Sequence, residues 1–211
     1  MSRPIKLTNE VKENLFRVLE EQGPALLCNT DSIEIDNHEK ITVYFKPEAF
    51  IKMQILTQRK QTEIGWHGLV YRTEGGFVVE DIVVYPQTGQ KNTIRTNEVE
   101  LNRWQCEQPD NNKLRLHGHS HAMNSANPSR KDKEDREIII NGLLNLKMEE
   151  MDLFYIFLIC NKKGEMQAVV YDIKNNRYFQ EDDVIVDFVD ENGDKAHYAN
   201  FWREANQLCR E

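Results

Sequence analysis

The spacing of apolar positions predicts a chain in which strands and helices alternate. Segments with the two-residue period or the short apolar runs of β-strands are bounded by Gly, Pro and Asn turns. These predicted strands are 41–45, 63–72, 77–85, 113–121, 152–160, 166–173, 177–179 and 183–189. Apolar residues three and four positions apart predict helices at 8–22, 47–60 and 196–209, and a further helix that begins near Ser129. This order of elements predicts one sheet flanked by helices.

The segment 86–112 does not follow either period well. It is polar, and only 97–105 has the pattern of a short helix. Loops on a rigid scaffold commonly carry specificity, so we expect substrate contacts in this segment.

Composition and charge argue against several classes of protein. With 211 residues, 39% hydrophobic and 29% charged, the chain is expected to fold as a single domain, 1–211. Its formal charge of −8 argues against nucleic acid as a partner. No apolar segment is long enough for a membrane span, and the four scattered cysteines form no C-x-x-C pair. We therefore expect reduced thiols and a cytoplasmic location.

The most informative segment is HGHSHAMNSANPSRKD, residues 117–132. Side chains two apart on a strand share a face, so His117, His119 and His121 would project together. Alternation alone does not decide which two would bind a metal. Asp132 shares one face of the following predicted helix with apolar residues and should point inward, where a carboxylate needs a partner. A cation held by two imidazoles would be such a partner.

A simpler interpretation also fits these residues. Ser129 and Asp132 have the spacing of a capping box, in which a serine and an acid satisfy the first turn of a helix. Three alternating histidines can equally be surface or hydrogen-bonded core residues. The residues alone leave both interpretations open.

The spacing His119-Ser120-His121, seven residues, Ser129, two residues, Asp132 resembles the H-[S/T]-H-x7-S-x2-D signature of the JAMM (MPN+) metalloproteases. Glu63, at the start of a predicted strand and followed by Gly65, stands where that family has its catalytic glutamate. The resemblance covers about residues 41–160. Ala122, where the family often has proline, and Trp66 and His67 after the glutamate depart from its pattern and bear on the shape of the cleft.

The resemblance implies an α/β fold: one α-β-α layered domain with a mixed sheet flanked by helices and, at 161–211, C-terminal strands and a helix. It implies that His119, His121 and Asp132 bind one zinc ion, that Glu63 is the general base, and that Ser129 stabilises the oxyanion. The activity implied is hydrolysis of a peptide or isopeptide bond in a protein substrate. By analogy this substrate is a conjugate or the tail of a ubiquitin-like modifier.

Two other classes stay open beside this one. RadC-like proteins have a similar histidine–aspartate pattern, but the sequence HNHPSG that they generally show is absent here. MPN domains without the ligands are non-catalytic interaction scaffolds, whereas this chain keeps Glu63, both histidines, Ser129 and Asp132. No role is assigned to His67 and His117.

Overall fold

An eight-stranded mixed sheet forms the centre of the protein in a computed structural model. The model describes residues 39–58, 62–90, 93–122, 125–145, 152–188 and 199–210, all within one compact unit. The predicted helix at 8–22 lies outside the described residues. The strands of the sheet are β1 (Ile41–Phe45), β2 (Gly65–Thr73), β3 (Gly76–Val83), β6 (Leu114–His121), β7 (Tyr155–Asn161), β8 (Met166–Asp172), β9 (Arg177–Phe179) and β10 (Val184–Phe188).

The strand order across the sheet is β10-β1-β3-β2-β6-β7-β8-β9. Strand β1 pairs in parallel with β10 and β3, and β6 pairs in parallel with β7, while the other neighbours are antiparallel. The expected mixed sheet is thus confirmed, and every strand predicted for it is present within three residues of the expected ends. Strands β2 and β6 lie in the middle, so the segments that carry Glu63 and the histidines are neighbours.

Four helices are described, and each covers a segment for which the sequence predicted one. They are α1 (Pro47–Gln58), α2 (Glu98–Glu107), α3 (Arg130–Asn145) and α4 (Ala199–Leu208). Pro47 fits the first turn of α1, where its missing N–H is not needed. Asn97 caps α2, because its side-chain oxygen accepts hydrogen bonds from the backbone N–H groups of Val99 and Glu100.

Apolar side chains pack on both faces of the sheet. On β7, Ile156, Leu158 and Cys160 belong to the larger core, which also contains residues of α1 and α4. Their neighbours Tyr155 and Phe157 point to the opposite face, into a smaller cluster with residues of α3. Because helices contribute to both cores, the described chain is a mixed α/β structure whose sheet is flanked by helices.

A second, three-stranded sheet was not predicted. It contains β4 (Gln87–Gln90), β5 (Thr93–Arg95) and β11 (Cys209–Arg210), in the order β11-β4-β5. The segment 86–112 was expected to be irregular apart from one helix, and Cys209 was placed in the last helix. The first expectation was wrong because β4 and β5 form a hairpin whose short, mostly polar strands have no apolar period. The second was wrong because β11 pairs in parallel with β4, about 120 residues earlier, and no local period reports such a pairing.

No helix in the described ranges is both long and apolar enough to cross a membrane.

An ion pair joins Arg72, near the end of β2, to Asp172, at the end of β8. Two guanidinium nitrogens donate to the two carboxylate oxygens at 2.7 Å each, and the Asp172 side chain is 3% exposed. Burial raises the pKa of Asp172, but the hydrogen bonds from Arg72 and Asn175 outweigh it and hold the pKa below its usual range. The stabilisation is therefore fully present above the unfolded pKa, near 4, and is lost as the pH falls toward the folded value.

We expect Asp172→Ala to lower the free energy of unfolding by about 3 kcal/mol at neutral pH, because the Arg72 guanidinium loses its buried partner. Urea unfolding measures the change. Asp152→Ala is the matched control, since it removes a more exposed carboxylate bound to the same guanidinium and should cost less than about 1 kcal/mol. Equal losses in the two variants would contradict the assignment.

Candidate metal centre

The two histidines of the candidate site stand side by side on β6. Strand alternation puts His119 and His121, with His117 and Arg115, on the face that α3 covers. Ser120 lies between them and is 3% exposed on the opposite face. The expectation that the odd-numbered residues share a face is confirmed.

Asp132 faces these histidines from the first turn of α3. The backbone N–H of Ser129 donates to Asp132 Oδ2 at 2.6 Å, and the N–H of Asp132 donates to Ser129 Oγ at 3.2 Å. The capping box is therefore present, and the same carboxylate also points inward. The two interpretations that the sequence left open are therefore compatible with each other at Asp132.

The three side chains converge on one point. The Nε2 atoms of His119 and His121 are 3.1 Å apart, and they lie 3.3 Å and 3.4 Å from Asp132 Oδ1 and Oδ2, respectively. One ligand atom from each residue lies within 4.8 Å of the others. Among the residues that the structure describes, this is the group that could hold a metal ion.

The surroundings of these three side chains are compatible with the binding of a cation. The Nδ1 of His121 lies 3.0 Å from the carbonyl oxygen of Ser125, and a proton on Nδ1 would leave Nε2 as the ligand atom. Desolvation raises the pKa of Asp132, but hydrogen bonds with His119 and His121 outweigh it and hold the pKa far below the usual range. Its hydrogen bond to Asp132 also raises the pKa of His121. A carboxylate that stays ionised and two inward-facing imidazole nitrogens are a donor set that transition metals accept.

Glu63 lies just before β2 and lines the same cavity as the triad. Burial raises the pKa of its carboxyl group to about 7, and the nearby carboxylate of Asp132 acts in the same direction, while His121 opposes them. The structure thus brings Glu63, Ser129 and the three predicted ligands into the lining of one cavity.

The backbone beside Glu63 is fixed by Ser120, a residue to which the sequence analysis gave no role. The N–H of Ile64 donates to Ser120 Oγ at 3.1 Å, and the N–H of Ser120 donates to the carbonyl of Ile64 at 2.8 Å. Because Ser120 separates the two histidines and Ile64 follows Glu63, this pair of bonds ties the glutamate to the histidine strand.

Gln87 fixes the other side of the same backbone. Its side-chain amide, 5% exposed, accepts from the N–H of Gly65 at 2.7 Å and donates to the carbonyl of Gly65 at 2.8 Å. The N–H of Glu63 donates to the carbonyl of Gln90, at the end of β4. Gly89 passes so close that a Cβ there would lie 2.5 Å from the carbonyl oxygen of Glu63. The role of Gln87 could not be predicted, because a glutamine in a polar segment gives no indication that it is buried.

The cavity has a volume of about 1160 Å³ and extends well beyond the triad. His67 and His117 line it, and burial lowers the pKa of His67 to about 4 and that of His117 well below its usual value. In both residues burial therefore favours the neutral imidazole. Trp66, which was expected to shape the cleft, does not line it. The ring is 0% exposed in the larger core, on the opposite face, and occupies the space that a side chain at Gly118 would need.

The segment 86–112 forms one wall of this cavity. Residues of β5 and α2 line it, among them Ile94, Leu101 and Gln105. Gln105 also approaches His67, with 3.4 Å between Nε2 of the amide and Nε2 of the ring. The insert therefore lies beside the site, where the sequence analysis looked for substrate contacts.

Comparison with known proteins identifies no family for this chain. No family model matches the chain, and no curated protein matches it either. Among solved structures, the solution structure of protein DSY2949 from Desulfitobacterium hafniense is similar at 16% identity and a TM-score of 0.44, over 70% of this chain and 94% of that one. Similarity at this level carries no argument about the site.

We expect Ser120→Ala to lower the free energy of unfolding by about 1–2 kcal/mol, because the buried N–H of Ile64 loses its acceptor. The amide hydrogen of Ile64 should then exchange with solvent faster, as measured by NMR, and urea unfolding gives the energy. Ser125→Ala is the control, since its hydroxyl accepts from the N–H of Asn127 in an exposed loop and its loss should cost about 0.5 kcal/mol or less. Unchanged exchange at Ile64 would refute the positioning role.

Proposed function

We propose that the protein is a zinc-dependent hydrolase of peptide or isopeptide bonds with a JAMM-type site and the layered fold of that family. The observation that carries this proposal is the convergence of His119, His121 and Asp132 beside Glu63 in one large cavity. The ligand residues come from a strand and a helix whose positions are set by the fold, and a glutamate is tied to the same strand.

The donor set favours zinc over harder cations. Two imidazoles and one carboxylate match the three protein ligands of catalytic zinc sites, in which a fourth position stays open. Calcium and magnesium prefer oxygen ligands, of which this group supplies only the carboxylate. When bound, zinc would acidify water and polarise a substrate carbonyl.

The chain's own groups supply the remaining tasks of a hydrolase. Glu63, partly withdrawn from solvent, is the base that takes a proton from the attacking water and returns it to the leaving amine. Ser129 accepts from the N–H of Asp132 through its oxygen, so its hydroxyl proton is available for the oxyanion of the substrate. Ser120 and Gln87 hold the backbone of Glu63 in place, which limits the cost of orienting the base.

The substrate part of the proposal rests on the resemblance to the JAMM family. A protein bearing a ubiquitin-like modifier would place the extended tail of the modifier in the cavity beside the triad. A volume of about 1160 Å³ is at the upper end of ordinary ligand pockets and is compatible with several residues of peptide.

The metal is tested first. We expect about one zinc ion per chain in the purified protein by elemental analysis, and its loss in Asp132→Ala, because the carboxylate is one of three protein ligands. Asp135→Ala is the control: it lies on the same helix and lines the same cavity but pairs with Lys131. A wild-type protein that neither contains nor takes up zinc would remove the hydrolase proposal and leave an interaction scaffold.

The base is tested separately. Glu63→Gln should retain zinc and lower the rate of cleavage by about 10²–10⁴-fold, because the amide cannot accept the proton. Release of a fluorophore from the C-terminal amide of a ubiquitin-like modifier measures the rate. Glu74→Gln, in the exposed turn between β2 and β3, should leave it unchanged. A fully active Glu63→Gln protein would exclude Glu63 as the base.

A further inference from the structure

The cavity continues along β6 away from the triad. Its floor contains four residues of one strand face, which alternate with buried neighbours: His121, His119, His117 and Arg115. Tyr155 and Phe157 of β7 continue this floor, and α3 and α2 provide the walls. Because same-face residues are spaced about 6.6 Å along a strand, the backbone of Arg115 lies about 13 Å from that of His119.

Charge is divided along the cavity. The acidic residues among its described lining are Glu63, Asp132 and Asp135, and the first two belong to the triad end. Asp135 is paired with Lys131. The strand position farthest from the triad is occupied by a cation, Arg115. A substrate that enters this cavity therefore meets acidic groups at the triad and positive charge beyond it.

Arg115 has no counter-ion within the part of the chain that the structure describes. Its side chain is partly buried, and no carboxylate of the described residues comes within salt-bridge distance of it. The acid that acts on it, Asp152, is instead bonded to Arg72 at 2.8 Å. Burial of this guanidinium without a partner is costly unless an anion joins it.

A second arginine lines the same cavity from α3. Arg136 is 8% exposed, and its Nε has no hydrogen-bond partner among the described residues. Its Nη1 lies 3.6 Å from a carboxylate oxygen of Glu181, which is its counter-ion. The guanidinium packs over the ring of Phe157. Arg136 is thus charge-compensated, whereas Arg115 has no such counter-ion among the described residues.

We propose that Arg115 binds a carboxylate of the substrate about four residues from the bond that is cleaved at the triad. This inference rests on the proposed function and specifies its substrate class: an extended peptide with an acidic group at that distance. An extended chain advances about 3.3 Å per residue, as β6 itself does, so about four residues span the 13 Å between the two positions. The carboxylate is either the C-terminus of the peptide or an Asp or Glu side chain.

Arginine suits this task because its planar guanidinium can donate two parallel hydrogen bonds to a carboxylate. His117 lies between Arg115 and the triad on the same face of β6, so its ring offers a polar contact to a bound peptide. Tyr155 and Phe157 provide an apolar surface against which the intervening residues of the peptide can pack.

The test measures binding, so that it does not depend on cleavage. The full chain carrying Glu63→Gln, as purified, is titrated with fluorophore-labelled penta-alanine that ends in a free carboxylate. The same peptide with a C-terminal amide, and an amidated peptide whose last residue is Glu, distinguish a terminal from a side-chain carboxylate. We expect one of the carboxylate peptides to bind at least about tenfold more tightly than the amidated penta-alanine.

The same titrations on Arg115 variants assign the effect. In Arg115→Ala the preference for the carboxylate should fall to about twofold or less, and Arg115→Lys should keep part of it because the charge remains. Arg103→Ala, which removes an exposed arginine of α2 outside the cavity lining, should preserve it fully. Urea unfolding checks that each variant is folded. If Arg115→Ala does not fold, Arg115→Lys decides the question: a reduced preference supports the role of Arg115, and an undiminished one overturns it.

The outcomes separate this inference from the proposed function. Equal binding of acidic and amidated peptides by the parent chain, or a preference that survives in both Arg115 variants, overturns the role of Arg115 even if the enzyme is active. A preference that depends on Arg115 in a protein without zinc or cleavage supports the carboxylate site and overturns only the hydrolase.

Discussion

The carboxylate of Asp132 is the constraint on which the site depends. Desolvation disfavours its charged form, and the structure offsets this with the N–H of Ser129 and two imidazoles. The end of a helix and the face of a strand are thereby held at one point, because both contact the same two oxygens. A cation at this point would take over part of the compensation that the imidazoles now provide. The same carboxylate therefore caps the helix and lies where the candidate metal site needs a ligand.

Glu63 reaches this point through backbone bonds and not through its own side chain. Ser120 holds Ile64 from the histidine strand, and Gln87 holds Gly65 from the insert, so the glutamate lies between two fixed neighbours. The pairing of β2 with β3 stops at His67, before it reaches Gly65. At Gly65 the side-chain amide of Gln87 makes the hydrogen bonds that a neighbouring strand would make. The segment 86–112 can therefore leave the sheet and return without releasing the glutamate.

A feature of the fold could be predicted from the sequence when the residues that determine it lie close together in the chain. Alternation in 113–121 was enough to place His119 and His121 on one face, and the apolar stripe of α3 was enough to turn Asp132 inward. Glu63 was found only through the resemblance to a family, because a single glutamate before a strand has no local signature. The strands β4 and β5 were missed because their hairpin is short and mostly polar, and β11 was missed because its partner β4 lies far along the chain. Trp66 was misplaced for a different reason: the register of β2 against β6 puts it opposite Gly118, on the far face of the sheet from His67.

The pairing of β4 with β11 has a consequence for biosynthesis. The strand that holds Gln87 and Gln90 beside the glutamate receives its outer neighbour from Cys209–Arg210, which the ribosome makes after every other described residue. The first strand, β1, likewise has one of its partners, β10, late in the chain. A nascent chain can therefore carry all five residues of the candidate site and still lack the frame that aligns them. The alignment of these five residues would therefore be completed only when β11 pairs with β4.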